Sequence, residues 1–218
     1  MKNSLYKTIL TIILLLRMQC GFSQSFINLS FESPLLPLNP VNSQVPITSA
    51  LPGWNGYIGG NQISQVLYNS RNIDAAGISL HSSTSPYFQP LEGSYSVFLE
   101  GSSIFAPTAD AAIAQTSLVP LTAMSLRLFM SPGSNLQIKF GDQVIPLFQL
   151  GAAANYNIMG GDVSAFAGST GELRLTALPH FGAYLDNIFF SNQPIPEPGA
   201  IGFFVFGALL LGWRLRKL

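Results

Sequence analysis

Between Phe26 and Phe190 no apolar segment runs far before a proline or glycine interrupts it, and no helical period is sustained. Such a chain can bury its apolar side chains only by stacking many short strands. Two patterns support this. Tyr95, Val97 and Leu99 alternate with Ser94, Ser96, Phe98 and Glu100. Leu136, Ile138 and Phe140 alternate with Gln137 and Lys139, then Gly141-Asp142 turns the chain into Val144 to Phe148. Leu136 to Phe148 is therefore the strongest hairpin signal. Further strands are expected at Phe26–Phe31, Ile63–Tyr68, Ile78–Leu80, Ile113–Leu118, Met124–Met130, around Leu173 and Leu175, and at Ala183–Phe190. Pro34, Pro37, Pro40 and Pro46 mark a long loop, and Pro52-Gly53 a turn before Trp54. Gly151 to Met159 is Ala-rich and glycine-flanked, and reads as loop or a single helical turn. The expected fold class is all-β, an antiparallel β-sandwich.

The ends of the chain differ from its middle. Lys2 and Lys7 precede the unbroken apolar run Ile9–Leu16, and the small residues Gly21 and Ser23 follow. Residues 1–23 thus read as a secretory signal peptide. A cut after Ser23 would remove Cys20, the only cysteine, so the fold must rest on its core and not on a disulfide. At the other end Pro194, Pro196 and Pro198 break any regular structure. Gly199 to Trp213 carries no charge, and Arg214, Arg216 and Lys217 close the chain. An apolar run followed by cations reads as a membrane helix with a cytoplasmic C-terminus. As a helix the run spans about 22 Å; Trp213 and the basic side chains reaching the headgroups would complete the crossing. The organisation is therefore a signal peptide (1–23), a β-sandwich ectodomain (24–192) and a C-terminal segment (193–218).

The tail resembles the PEP-CTERM sorting signal of Gram-negative bacteria: Pro196, Glu197 and Pro198 match its tripeptide, ahead of the apolar run and the cations Arg214, Arg216 and Lys217. The resemblance implies processing by an exosortase in the inner membrane. The protein would be anchored there with a periplasmic ectodomain, then transferred to the cell surface or extracellular matrix. The middle is similar to galactose-binding-like jelly rolls. Asn28-Leu29-Ser30-Phe31-Glu32 corresponds to their opening Asn-Gly-Ser-Phe-Glu, Pro52-Gly53-Trp54 to their Pro-Gly-Trp, and Leu185-Asp186-Asn187-Ile188 to their closing Leu-Asp-Asp-Ile. Leu29 and Asn187 depart from that pattern. This resemblance implies a jelly roll whose first and last strands are neighbours, and many such domains bind carbohydrate. It also implies a structural Ca²⁺ where those strands meet, with Glu32 and Asp186 as ligands among the six to eight oxygens calcium takes.

Charge narrows the partners. Between Gln24 and Ile195 the four cations Arg71, Arg127, Lys139 and Arg174 face nine anions, a net −5. No basic patch exists for nucleic acid. His81 and His180 are the only histidines and stand in no metal-ligand spacing. No Gly-x-Ser-x-Gly elbow or phosphate-binding loop occurs, and the acids are scattered beside turns, so no catalytic residue is assigned. The remaining chemistry is aromatic. Trp54 and Tyr95 are expected in the core. Tyr87-Phe88, between Pro86 and Pro90, is expected to be an exposed pair able to stack on sugar rings. The sequence reading is a non-catalytic surface or matrix protein with polysaccharide, such as exopolysaccharide, as partner. The alternatives are an adhesive envelope component without a glycan site, or a secreted hydrolase.

Overall fold

The computed structural model describes residues 25–36 and 43–196. These form two facing β-sheets. The chain runs through β1 (Gln44–Pro46), a single helical turn α1 (Ile47–Ala50), β2 (Asn55–Ile58), β3 (Asn61–Ile63), β4 (Gln65–Tyr68), β5 (Gly77–Ser82), β6 (Tyr95–Glu100) and β7 (Ala111–Leu118). It continues through β8 (Ser125–Met130), β9 (Gln137–Phe140), β10 (Gln143–Ile145), β11 (Phe148–Ala152), β12 (Asn157–Asp162), β13 (Thr170–Ala177) and β14 (Gly182–Ser191). The larger sheet has the order β1-β4-β5-β6-β14-β8-β12-β11, the smaller one β10-β9-β13-β7-β2-β3. Every named pairing is antiparallel except β4 with β5.

The period-two alternation places the core. On β6, Val97 and Leu99 point inward and are fully buried, joined by Leu126 and Leu128 of β8 and Leu185 of β14. Ile113, Ile138, Leu173 and Leu175 meet them from the smaller sheet. Trp54 is buried as expected: its ring lies 5.9 Å from Phe31 and its indole N–H donates to the Asn28 carbonyl at 3.1 Å. Tyr95 packs part-buried against the same core.

The chain departs from the sequence expectation in several places; the expected proline loop, for one, already forms strand β1 by Pro46. Phe26–Phe31 is not a strand: Asn28 and Phe31 adopt positive φ, and beyond one bridge from Ser25 to Leu118 a side chain replaces the ladder. Gln115 accepts from the Ile27 N–H at 2.7 Å and donates to the Ile27 carbonyl at 3.0 Å. The segment still lies beside the last strand, because Ile188 donates to the Leu29 carbonyl at 2.9 Å. Gly151–Met159 is not a loop; it supplies most of the β11–β12 hairpin. Val144–Phe148 is not one strand, since β10 ends at Ile145 and Phe148 begins β11 in the other sheet. Ile63–Tyr68 divides between β3 and β4, again in different sheets.

Among the described residues no helix is long and apolar enough to cross a membrane. The expected signal peptide and apolar segment Gly199–Trp213, with Glu197, Pro198, Arg214, Arg216 and Lys217, lie outside the described residues. Pro196 lies within them, exposed, five residues beyond the end of β14.

Candidate functional site on the open face of the larger sheet

Alternation that sends Val97 and Leu99 inward sends Ser96, Phe98 and Glu100 outward. The register across β5, β6 and β14 then sets three rows on the open face. Gly77, Glu100 and Gly182 form one row, and Ser79, Phe98 and Tyr184 the next. His81 and Ser96 form the third, where Asp186 joins by accepting from the Ser96 hydroxyl at 2.6 Å.

The middle of this face is an aromatic bowl. Phe98, Tyr184 and Phe88 lie with centroids 4.9 to 6.3 Å apart. His81 stands edge-on to Phe88 at 5.2 Å and to Tyr184 at 6.0 Å. The Arg71 guanidinium caps the bowl, 5.4 Å from the Phe98 centroid and 5.8 Å from Phe88. Phe88 is thus a part-buried plug and not an exposed residue. Tyr87 is 54% exposed, so the expected pair is split between surface and packing. Tyr87 also approaches the His81 ring, at 6.5 Å.

Burial governs the ionisation of this face. Desolvation first, and then the Arg71 charge, pushes the His81 pKa down to about 4, so the ring is neutral at pH 7. Ser85 Oγ lies 2.8 Å from His81 Nδ1 and accepts from the Tyr87 and Phe88 N–H groups. With its acceptor positions so used, Ser85 donates its proton to Nδ1, which assigns the hydrogen to Nε2. Nε2 is buried and has no hydrogen-bond partner among the described residues. The Tyr184 hydroxyl is likewise buried and has no hydrogen-bond partner among the described residues, while the Ser96 hydroxyl donates to Asp186 and accepts from the Leu91 N–H. Burial raises the Tyr184 pKa.

Glu100 and Gly182 of the first row line a pocket of about 380 Å³, while the Asn72 side chain covers Gly77. Glu100 Oε1 pairs with Arg71, while Oε2 is buried without a partner among the described residues. Burial, opposed by Arg71 and reinforced by Asp74, raises the Glu100 pKa. Asp74, Ser103, His180 and Phe181 complete the wall. Sequence reasoning assigned none of these a role. The signal available was Phe98 and Glu100 on the second face of an alternating strand, with glycine at two cross-strand positions.

Glu32 and Asp186, placed in the sequence as calcium ligands, do meet at one corner. Glu32 Oε1 accepts from the N–H groups of Ser94 at 2.9 Å and Tyr95 at 3.0 Å. Asp186 accepts from the Glu92 N–H at 3.1 Å and the Asn187 N–H at 2.6 Å, besides Ser96. Burial first, with a repulsive contribution from Glu32, raises the Asp186 pKa to about 7 against the pull of those hydrogen bonds. The carboxylates thus serve the corner's own donors. Among the described residues no group of three or more His, Cys, Asp or Glu side chains could hold a metal ion. The corner fits calcium poorly as it stands.

No protein-family model matches the chain, and no curated protein matches it. Two solved structures are similar. One is the enzymatically active domain of tailspike protein 4 of bacteriophage CBA120, at 16% identity and a TM-score of 0.35 over 64% of this chain. The likeness spans only 19% of the tailspike chain. The other is a family 11 carbohydrate-binding module from Clostridium thermocellum in complex with a β-1,3-1,4-mixed-linked tetrasaccharide. There the identity is 11% and the TM-score 0.34, over 67% of this chain and 92% of that one. At these values the likenesses bear on neither ligand nor activity.

Proposed function

We propose that this is an exported cell-surface or matrix protein whose β-sandwich binds polysaccharide and does not catalyse its turnover. One observation carries the binding reading. On the outer side of the larger sheet the exposed Tyr87 ring stands at the edge of a buried aromatic cluster, with a polar pocket on the same side. Aromatic faces bury the C–H surfaces of sugar rings while nearby polar groups fix their hydroxyls. The net −5 of the ectodomain favours neutral polymers over polyanions. A jelly-roll arrangement is supported by the way the chain alternates between the sheets and ends with β14 between β6 and β8.

Export and sorting rest on sequence. The signal peptide, the tripeptide Pro196-Glu197-Pro198 and the apolar, basic-ended tail support processing by an exosortase at the inner membrane. The product would be delivered to the surface or matrix.

The binding test is retardation of the purified protein in gels containing soluble polysaccharides. Tyr87→Ala should weaken retardation about tenfold with no loss of stability, as removal of an exposed anchor does. Phe88→Ala is the wrong probe, because it empties the bowl and costs stability. Undiminished binding by Tyr87→Ala would remove the edge of the bowl from the site. Release of reducing ends from any polymer would overturn the non-catalytic reading. A second reading, an adhesive envelope component without a glycan site, is favoured by large apolar side chains left in solvent, Ile73 at 83% and Phe105 at 84% exposed. Concentration-dependent self-association without retardation by any polymer would support it.

A further inference from the structure

The pocket at the end of the open face is a built cavity. Three loops wall it, and backbone hydrogen bonds tie them together. Ser103 donates to the Asp74 carbonyl at 2.7 Å, joining the segment after β4 to the one after β6. Gly101 donates to the Phe181 carbonyl at 2.8 Å, and His180 to the Ser102 carbonyl at 2.8 Å, joining the β13–β14 turn to the same segment. Gly101 has no alternative at this junction, because a side chain there would run into the Leu178 carbonyl. A cavity fixed this way exists before any ligand arrives, which lowers the cost of binding.

Its chemistry is mixed in a particular way. The lining includes the Glu100 carboxylate, whose Oε1 pairs with Arg71. Asp74 offers a second carboxylate, and Arg71, Ser103 and His180 offer donors. Two apolar side chains stand open to solvent at the rim, Phe181 at 46% exposure and Ile73. Hydroxyl-matching groups below and an aromatic plate at the rim suit a ring with polar edges and C–H faces. The Arg71–Glu100 pair is internally neutral, so Asp74 leaves the lining negative and disfavours an anionic ring. At about 380 Å³ the cavity lies near the small end of ligand pockets, which run from about 300 to 1,000 Å³.

We propose that this pocket is a subsite for one neutral sugar unit, a chain terminus or single-residue branch, held by Glu100 and Asp74 through its hydroxyls and by Phe181 through its face. The proposal rests on the polysaccharide reading and names where and what that reading binds.

The test is a glycan array probed with the full-length protein, followed by titration of the glycans that bind. The array should present neutral, amino-bearing, uronate and sulfated termini. Native protein should select glycans that share a neutral terminal or branch unit. Phe181→Ala, whose exposed ring supports no core residue, should lower affinity for them about tenfold at unchanged unfolding temperature. Asp74→Lys should shift selection toward uronate termini, which loss of packing cannot do. Suppose native protein binds glycans but neither variant changes affinity or selection, while Tyr87→Ala does. The pocket assignment is then overturned and the polysaccharide reading stands. Preference of native protein for uronate or sulfated termini overturns the pocket's specificity. Binding to no glycan overturns both.

Discussion

At the scale of single residues, His81 and Asp186 hold opposite protonation states for the same reason. Each is buried, so each is pushed toward its neutral form, His81 by losing its proton and Asp186 by keeping it. Their effects on stability have opposite signs. The His81 pKa is lowered on folding from 6.5 to about 4, so its contribution is present above pH 6.5 and lost as pH falls toward 4. The Asp186 pKa is raised from 3.8 to about 7, so its contribution is full below pH 3.8 and lost as pH rises through 7. Across that shared window the two slopes oppose, and native stability should change little with pH on their account. Removing one member exposes the other. Unfolding midpoints of His81→Gln should fall as pH rises from 4 to 7, and those of Asp186→Asn should fall as pH drops from 6.5 to 4. Parallel urea-midpoint curves for native protein and both variants would refute this opposition. The calcium corner makes a simpler prediction: 5 mM-scale calcium, about a thousandfold above micromolar sites, should leave the unfolding temperature unchanged, because donors already occupy both carboxylates. A rise of several degrees would show that the corner rearranges around the ion.

At the scale of elements, legibility followed side-chain alternation. β6, β8, β9, β13 and β14 alternate bulky inward residues with other types, and each was readable. β11 and β12 carry Gly151, Ala152, Gly160 and Gly161, where small side chains leave no period to read. Those glycines answer to neighbours the sequence cannot display. A Cβ on Gly160 would lie 2.6 Å from Leu150 and 2.9 Å from Ile195 of the following linker, and one on Gly161 would lie 2.8 Å from the Pro146 carbonyl. Phe26–Phe31 misled in the opposite direction, since its apolar composition suits a strand while Gln115, remote in sequence, takes over its hydrogen bonds. The pocket was hidden for a similar reason: Glu100 is ordinary until Gly182 and the segments of Asp74 and Ser103 are brought beside it. The hairpin offers a direct check. Gly161→Ala should destabilise by about 1–3 kcal/mol through overpacking. Gly151→Ala, whose Cβ would meet Ile158 at an ordinary 3.5 Å, should be neutral or stabilise by up to about 1 kcal/mol. Equal effects in urea titrations would show that the crowding at β12 is not what fixes its glycines.

At the scale of the whole molecule, the described core is complete before the proline segment begins. The larger sheet ends with Ser191, and beyond it the chain is held by short clasps. The Gln193 carbonyl accepts from the Ser125 hydroxyl at 2.7 Å and from Arg127 at 3.4 Å, and Ile195 rests over Gly160. No residue of the described buried core lies beyond Ile188. A cut near Pro198 would therefore leave both sheets intact, and Pro194 and Pro196 are exposed at the approach to it. The proposed processing by a membrane protease calls for such a folded body followed by an accessible proline segment that resists being drawn into the sheet. In its own host, the protein should be found trimmed near Pro198 and outside the inner membrane. A Pro196→Ala/Glu197→Ala variant should remain full length in that membrane while its ectodomain unfolds at the native temperature. Intact mass and fractionation separate the outcomes. If native protein and variant both stay full length in the membrane, the tail is a plain anchor, and polysaccharide binding must be sought at the periplasmic face of the inner membrane.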